Sequence, residues 1–242
     1  MKHSPRLAGF LSENRFVLLF CSLVFFLISA PIVQELRDRL HSRLPNIVEV
    51  CAVMLVLTTA VLSMTNNRRW NLYALGLGVP AIILGLFPVA ALSETIEAIR
   101  TVLEITFLVW VILALLLHVF STQRVTANTL FAALCVYLLL GAVWALAFGL
   151  VDLIDPSAFA VTSRGGPTLV FRSGGRITNT AIYFSFTTLT TLGYGDIVPR
   201  TPTAQMLAAM EAIVGQLYLA VLVARLVGLH ISHSMKEPAG EN

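Results

Sequence analysis

Hydrophobic positions along this chain gather into six long runs separated by polar breaks, and none of the six shows the strict alternation of a half-buried strand. The runs are Phe16 to Val33, Ile47 to Met64, Leu72 to Leu92, Thr101 to Phe120, Thr129 to Val151 and Ala204 to Val227, the last interrupted by Glu211 and closed near Arg225. Each approaches or exceeds the roughly 20 residues that a helix needs to cross about 30 Å of hydrocarbon. The pattern therefore predicts an all-α membrane protein with six transmembrane helices. The third run, with Pro80, Pro88, Gly76, Gly78 and Gly85, is the one expected to kink, because proline removes a helix hydrogen bond and glycine weakens the helix.

Residues 152–203 break the pattern. They are too polar to cross a membrane and, toward their end, too apolar for a simple loop. Asp152 to Arg176 alternates polar and apolar residues around Gly165-Gly166 and Gly174-Gly175, which suggests turns and a short hairpin. Thr180 to Thr190 reads as a short helix that enters the membrane only partway, with Asn179 or Thr178 as its cap.

Composition agrees. Of 242 residues 57% are hydrophobic and 12% charged, about half the charge of an ordinary soluble domain. A net charge of +3, scattered along the chain, gives no nucleic-acid footprint, and the longest basic run, Arg68-Arg69, reads as a membrane flank. Cys21, Cys51 and Cys135 lie apart in apolar runs, which points to small buried hydrophobes and not to a disulfide framework or metal site. The first run is longer than a signal-peptide core, and Pro31 would directly follow a cut at Ser29-Ala30, so it reads as a span that is kept. Lys and Arg counts on the two sides of a six-span chain tie, and leave only a weak lean toward both termini inside.

The chemistry concentrates in Thr190-Thr191-Leu192-Gly193-Tyr194-Gly195-Asp196, which follows the apolar and hydroxylated run Ala181 to Leu189 and precedes Pro199. This string resembles the selectivity filter of the potassium-channel family, in which four Thr-Val-Gly-Tyr-Gly loops replace an ion's hydration shell with carbonyl oxygens. The physics suits the residues. Backbone carbonyls dehydrate a cation without adding fixed charge that would trap it, and Gly193 and Gly195 supply the positive-φ conformations that turn successive carbonyls to one side. The resemblance implies K⁺ at the carbonyls of Thr191, Leu192, Gly193 and Tyr194, with the Thr191 hydroxyl as the innermost layer. It also implies that Tyr194 points away from the ion and braces the loop, that the short helix aims its carboxyl end at the ion, and that Asp196 closes the motif. Ser185, Thr187 and Thr190 are the expected supports on that helix. One chain offers one loop, so the implied unit is a homotetramer in a lipid bilayer, with no cofactor beyond permeant K⁺ and no nucleic-acid partner.

The likeness extends over roughly residues 127–230. Pro199 and Thr201 match positions after the filter, and Gly215 falls where relatives have the hinge of the pore-lining helix, with Gln216, Leu219 and Val223 toward the cavity. Close packing of helices through a small residue is the other account of Gly215. Three positions depart from the family pattern: Leu192 stands for the commoner valine or isoleucine, Ala204 for glycine, and Thr187 where some relatives carry a carboxylate that buttresses the filter. Glu211, an intramembrane acid and so a functional candidate, is expected to meet Ser185 or Thr187, to see the cavity, or to sit protonated between helices.

The domain plan that follows is a cytoplasmic segment 1–15, a four-helix non-pore membrane domain 16–124, a pore domain 125–230 and a short cytoplasmic tail 231–242. Between Arg100 and Arg124 the fourth run has no Arg or Lys and one acid, Glu104, so it lacks the repeated cations of a voltage sensor. The tail histidines His230 and His233 read as a hydrated helix end. The implied function is a passive potassium channel of the cell (inner) membrane with the filter facing outward and both termini cytoplasmic. A weakly selective cation channel and a non-conducting or transport subunit are the alternatives. No nucleophile and base pair, phosphate loop or metal spacing suggests an enzyme.

Overall fold

The structure, a computed structural model, describes residues 14–40, 55–56, 58–60, 76, 94–122, 126–162, 170–173, 176–177 and 179–234. The expected second and third spans, 47–64 and 72–92, lie almost wholly outside them. Among the described residues five helices and four short strands have defined bounds: α1 (Arg15–Leu40), α2 (Glu94–Ser121), α3 (Ala127–Ile154), β1 (Phe159–Val161), β2 (Arg172–Ser173), β3 (Arg176–Ile177), α4 (Asn179–Leu189), β4 (Ile197–Pro199) and α5 (Pro202–Ser234). Four of these helices, α1, α2, α3 and α5, are long and apolar enough to cross a membrane.

Every long helix runs past its apolar stretch. The apolar run marks what lipid requires, whereas the backbone keeps its hydrogen bonds until a cap intervenes. α2 begins at Glu94, seven residues before Thr101, with Glu94 and Glu97 in its first turn where acids complement the helix dipole. α3 starts at the Thr126 cap, whose hydroxyl accepts the Thr129 amide at 3.2 Å. It ends at Asp155, whose amide donates to the Val151 carbonyl. α5 starts behind Thr201, whose hydroxyl faces the Ala204 amide at 3.4 Å, with Pro202 at the first helical position where its missing amide costs nothing.

α3 is the central helix, packed against α1, α2, α4 and α5. Along its first half a core forms with Phe16, Leu19 and Leu23 of α1 and Phe107, Val111 and Leu115 of α2. Along its second half Phe148 joins Phe159, Phe171 and Phe184 in a cluster where all four rings touch, with centroids 4.5 to 6.4 Å apart. Lipid is as apolar as these side chains, so what holds them is close packing and ring geometry, about 0.5–1.5 kcal/mol per aromatic pair.

Two antiparallel strand pairs shape the segment outside the bundle. β2 pairs with β3, Arg172 opposite Ile177 and Ser173 opposite Arg176, within the stretch expected to hold a hairpin. β1 pairs with β4, Phe159 opposite Pro199 and Val161 opposite Ile197, a pairing the sequence pattern did not indicate. It ties the chain just after α3 to the chain just after residues 190–196.

Candidate functional site

α4 is one residue displaced from its expected bounds, and Asn179 is its first helical residue instead of a flanking cap. α4 lies between α3 and α5. Gly141 of α3 makes room for it: a Cβ there would come within 2.8 Å of the Phe186 ring. Gly215 of α5 does the same at the other end, where a Cβ would stand 2.5 Å from the Leu189 carbonyl oxygen. Gly215 is therefore where the backbones of α5 and α4 meet.

The string 190–196 leaves the carboxyl end of α4 in an extended path. Positive φ recurs at every second residue, 59° at Thr191, 52° at Gly193 and 77° at Gly195. Such alternation turns successive carbonyls toward one side, and two of the three positions are glycines, which adopt it without the Cβ penalty. Thr191 bears that strain. The strand is anchored by its amides to the helix that precedes it: the Thr187 carbonyl accepts from the amides of Leu192 at 2.8 Å and Gly193 at 3.1 Å, and the Thr188 carbonyl from that of Thr191 at 2.9 Å. The Thr187 and Thr190 hydroxyls donate back into α4, to the Phe184 and Phe186 carbonyls. In the isolated chain residues 190–196 are exposed throughout.

The outer end of the string is held by side chains. The Tyr183 and Tyr194 rings stack, 6.4 Å apart and 5° from parallel, and the Tyr183 hydroxyl donates to Asp196 at 2.9 Å. The Thr162 hydroxyl donates to the Gly195 carbonyl at 2.9 Å and its amide to the Asp196 carbonyl at 2.8 Å, so the β1–β4 pair grips the loop from outside. Tyr183 and Thr162 were not singled out from the sequence. Only the period of α4 could have found Tyr183, and nothing in the sequence pairs residue 162 with 195.

Behind α4 stands Glu211, with no exposed surface at all. Its Oε1 is 2.5 Å from the Ser185 hydroxyl, which is also 2.7 Å from the Gly141 carbonyl. Glu211 thus meets Ser185 and not Thr187, and it faces α4 and α3 instead of the open side of α5. Its other oxygen, Oε2, is buried with no hydrogen-bond partner. Gln216 is exposed, as are Leu219 and Val223 at 36% and 57%. They lie on the open face of α5 with Ile213 and Leu217.

At the far end of α5, the Arg225 guanidinium donates to the Phe120 carbonyl at 3.0 Å and to that of Thr122 at 2.7 Å, closing the carboxyl end of α2. Its charge stands 5.0 Å above the Phe120 ring. Arg100 on α2 pairs with Glu104 one turn on, at 2.7 Å.

With this geometry in place, residues 132–230 match the family of ion-channel domains. The matched stretch begins inside α3 and takes in α4, the loop and nearly all of α5, so the described site lies within the part of the chain that is similar to an ion-channel pore module, in a chain with four helices long and apolar enough to cross a membrane. Comparison with characterised proteins and with solved structures returned no match.

Proposed function

We propose that the chain is one of four identical subunits of a potassium-selective channel. K⁺ passes along the symmetry axis through the carbonyls of Thr191, Leu192, Gly193 and Tyr194. The observation that carries this reading is the alternation of positive φ at 191, 193 and 195 in a loop anchored to α4 by its amides. Spent on anchoring, those amides leave the carbonyls free to act as ligands, and four strands of this kind form a stack of oxygen rings. The Tyr183–Tyr194 stack and the Tyr183–Asp196 hydrogen bond set how far each strand stands from the axis.

The reading includes six spans, a filter that opens outward and both termini in the cytoplasm of an inner membrane. The first four spans carry no voltage-sensor charge pattern, and Arg100, the cation of α2, is neutralised by Glu104. Gln216, Leu219 and Val223 line the cavity below the filter.

The test is the reversal potential of the purified protein in planar bilayers under a potassium against sodium gradient, with Gly193→Ala beside it. The parent is expected to reverse near the potassium equilibrium potential. The variant forces a Cβ into φ +52°, a conformation that costs about 1–2 kcal/mol outside glycine, and should lose selectivity. A parent that reverses near zero would replace the reading by a weakly selective cation channel.

A further inference from the structure

Three hydrogen-bonding groups from three helices meet behind the loop, and their protons can be counted. The Ser185 hydroxyl of α4 has one hydrogen, and two oxygens stand within bonding distance of it, the Gly141 carbonyl of α3 and Oε1 of Glu211 of α5. A carbonyl only accepts. If Ser185 donates to Gly141, the 2.5 Å contact with Glu211 needs a hydrogen that only the carboxyl can supply. If Ser185 donates to Glu211 instead, the 2.7 Å contact with Gly141 sets two acceptors against each other. The set closes only when Glu211 is a neutral acid that donates to Ser185, which donates to Gly141. Oε2 is consistent with this count, because an ionised oxygen buried without a donor costs far more than the carbonyl oxygen of an acid.

We propose that Glu211 carries a proton and works as a proton-dependent latch that fixes the pore helix between its two neighbours. Ser185 lies two residues before Thr187, whose carbonyl holds the Leu192 and Gly193 amides, so the latch sits one short step from the filter backbone. Glu211 is a positioning residue: it touches no ion. Loss of its proton breaks the Glu211-to-Ser185 bond and leaves a buried charge, which favours any arrangement that lets α5 part from α4. The latch is intact at low and neutral pH and opens as pH rises.

Among the described residues, the elements packed against α5 offer no counter-charge. On α3 the titratable residues are Cys135, Tyr137 and Asp152, and of these Tyr137 is within electrostatic reach of Glu211. α4 contributes Tyr183, already bound to Asp196, and β4 contributes none. On α5, Tyr218 donates to the Ala133 carbonyl at 2.6 Å, and Arg225, His230 and His233 are 14 or more residues further on, about 20 Å along the helix. No Lys, Arg or His stands on α3 or α4. The effect on conduction rests on the potassium-channel reading, whereas the protonation state does not.

The experiment pairs infrared spectroscopy with current recording on the full chain in lipid membranes. The parent is expected to show a protonated-carboxyl absorption at neutral pH that shifts in D₂O, disappears on alkaline titration and is absent from Glu211→Gln. Over the same pH range potassium current should fall about tenfold, the scale of one lost buried hydrogen bond between neutral groups. Glu211→Leu should lose current at every pH. Glu211→Gln, which keeps a neutral donor, should rescue current relative to Glu211→Leu and remove the alkaline fall. No protonated carboxyl at neutral pH, or an alkaline fall that persists in Glu211→Gln, would overturn the latch. If no potassium current is seen in the parent at any pH, the channel reading fails, and the infrared titration still decides whether Glu211 holds its proton.

Discussion

α3 and α5 are both apolar helices with 28-residue spans, yet 39% of the most apolar stretch of α3 is buried within the chain and only 11% of that of α5. Lipid could cover the open face of α5, since Met206, Met210, Ile213, Leu217 and Val221 are as apolar as acyl chains. Lipid cannot cover the string 190–196, which is exposed beside it and whose carbonyls hydrocarbon leaves unsatisfied. Irregular backbone at membrane depth survives only against protein or water. The contrast fits the proposed tetramer: α3 completes the inside of one chain, whereas α5 and the loop are the surfaces that further copies would cover.

Breaking the α3 side should act on the chain itself. Phe184→Ala removes the ring that touches Phe148, Phe159 and Phe171 and is expected to cost about 3–5 kcal/mol, read as a large drop in the thermal unfolding midpoint in detergent.

Breaking α5 should depend on which face is touched. Gly215→Ala drives a methyl toward the Leu189 carbonyl at 2.5 Å, and overpacking of this kind costs about 1–3 kcal/mol. Gly228→Ala, on the same helix with nothing within 4 Å, should leave thermal stability unchanged or raise it slightly. Equal effects would mean that α5 is not seated on α4 as described.

Smaller effects sharpen the outer end of the loop. Tyr183→Phe keeps the stack on Tyr194 but deletes the bond to Asp196, a loss of about 0.5–1.5 kcal/mol at most, visible as faster decline of current without a change of assembly. The smallest concerns Asp155 at the end of α3. The hydroxyl and amide of Ser157 bond its carboxylate and hold its pKa below the usual value. A lowered folded-state pKa gives stability that is present above the unfolded pKa and lost as pH falls through the folded one. Acid should therefore loosen this cap slightly, and Asp155→Asn should remove that dependence, measured as stability against pH.

The loop and the bundle were not equally legible in the sequence. The string 190–196 could be read because the chemistry proposed for it is backbone chemistry, and positive φ leaves its trace as glycine at 193 and 195. Positive φ at Thr191 leaves no such trace. Glu211 was legible as a buried acid near α4, but the choice of Ser185 over Thr187 depends on the rotation of two helices, which hydrophobic runs do not fix. Gly141 gave no signal, because its partners Ser185 and Phe186 lie more than 40 residues away and meet it only through packing. The β1–β4 pair and the four-phenylalanine cluster were hidden for the same reason. The helix ends were underestimated where polar residues such as Glu94 and Glu97 continue a helix beyond the hydrocarbon.

The central claim is that the open face of α5 and the exposed loop are completed by three further copies. Native mass measurement of the purified chain in mild detergent tests it most directly. The account predicts a particle of four times the 26.4 kDa chain mass, which falls apart when Leu217 on the open face is changed to Arg. A parent chain that remains a monomer or a dimer under conditions in which it conducts would contradict it.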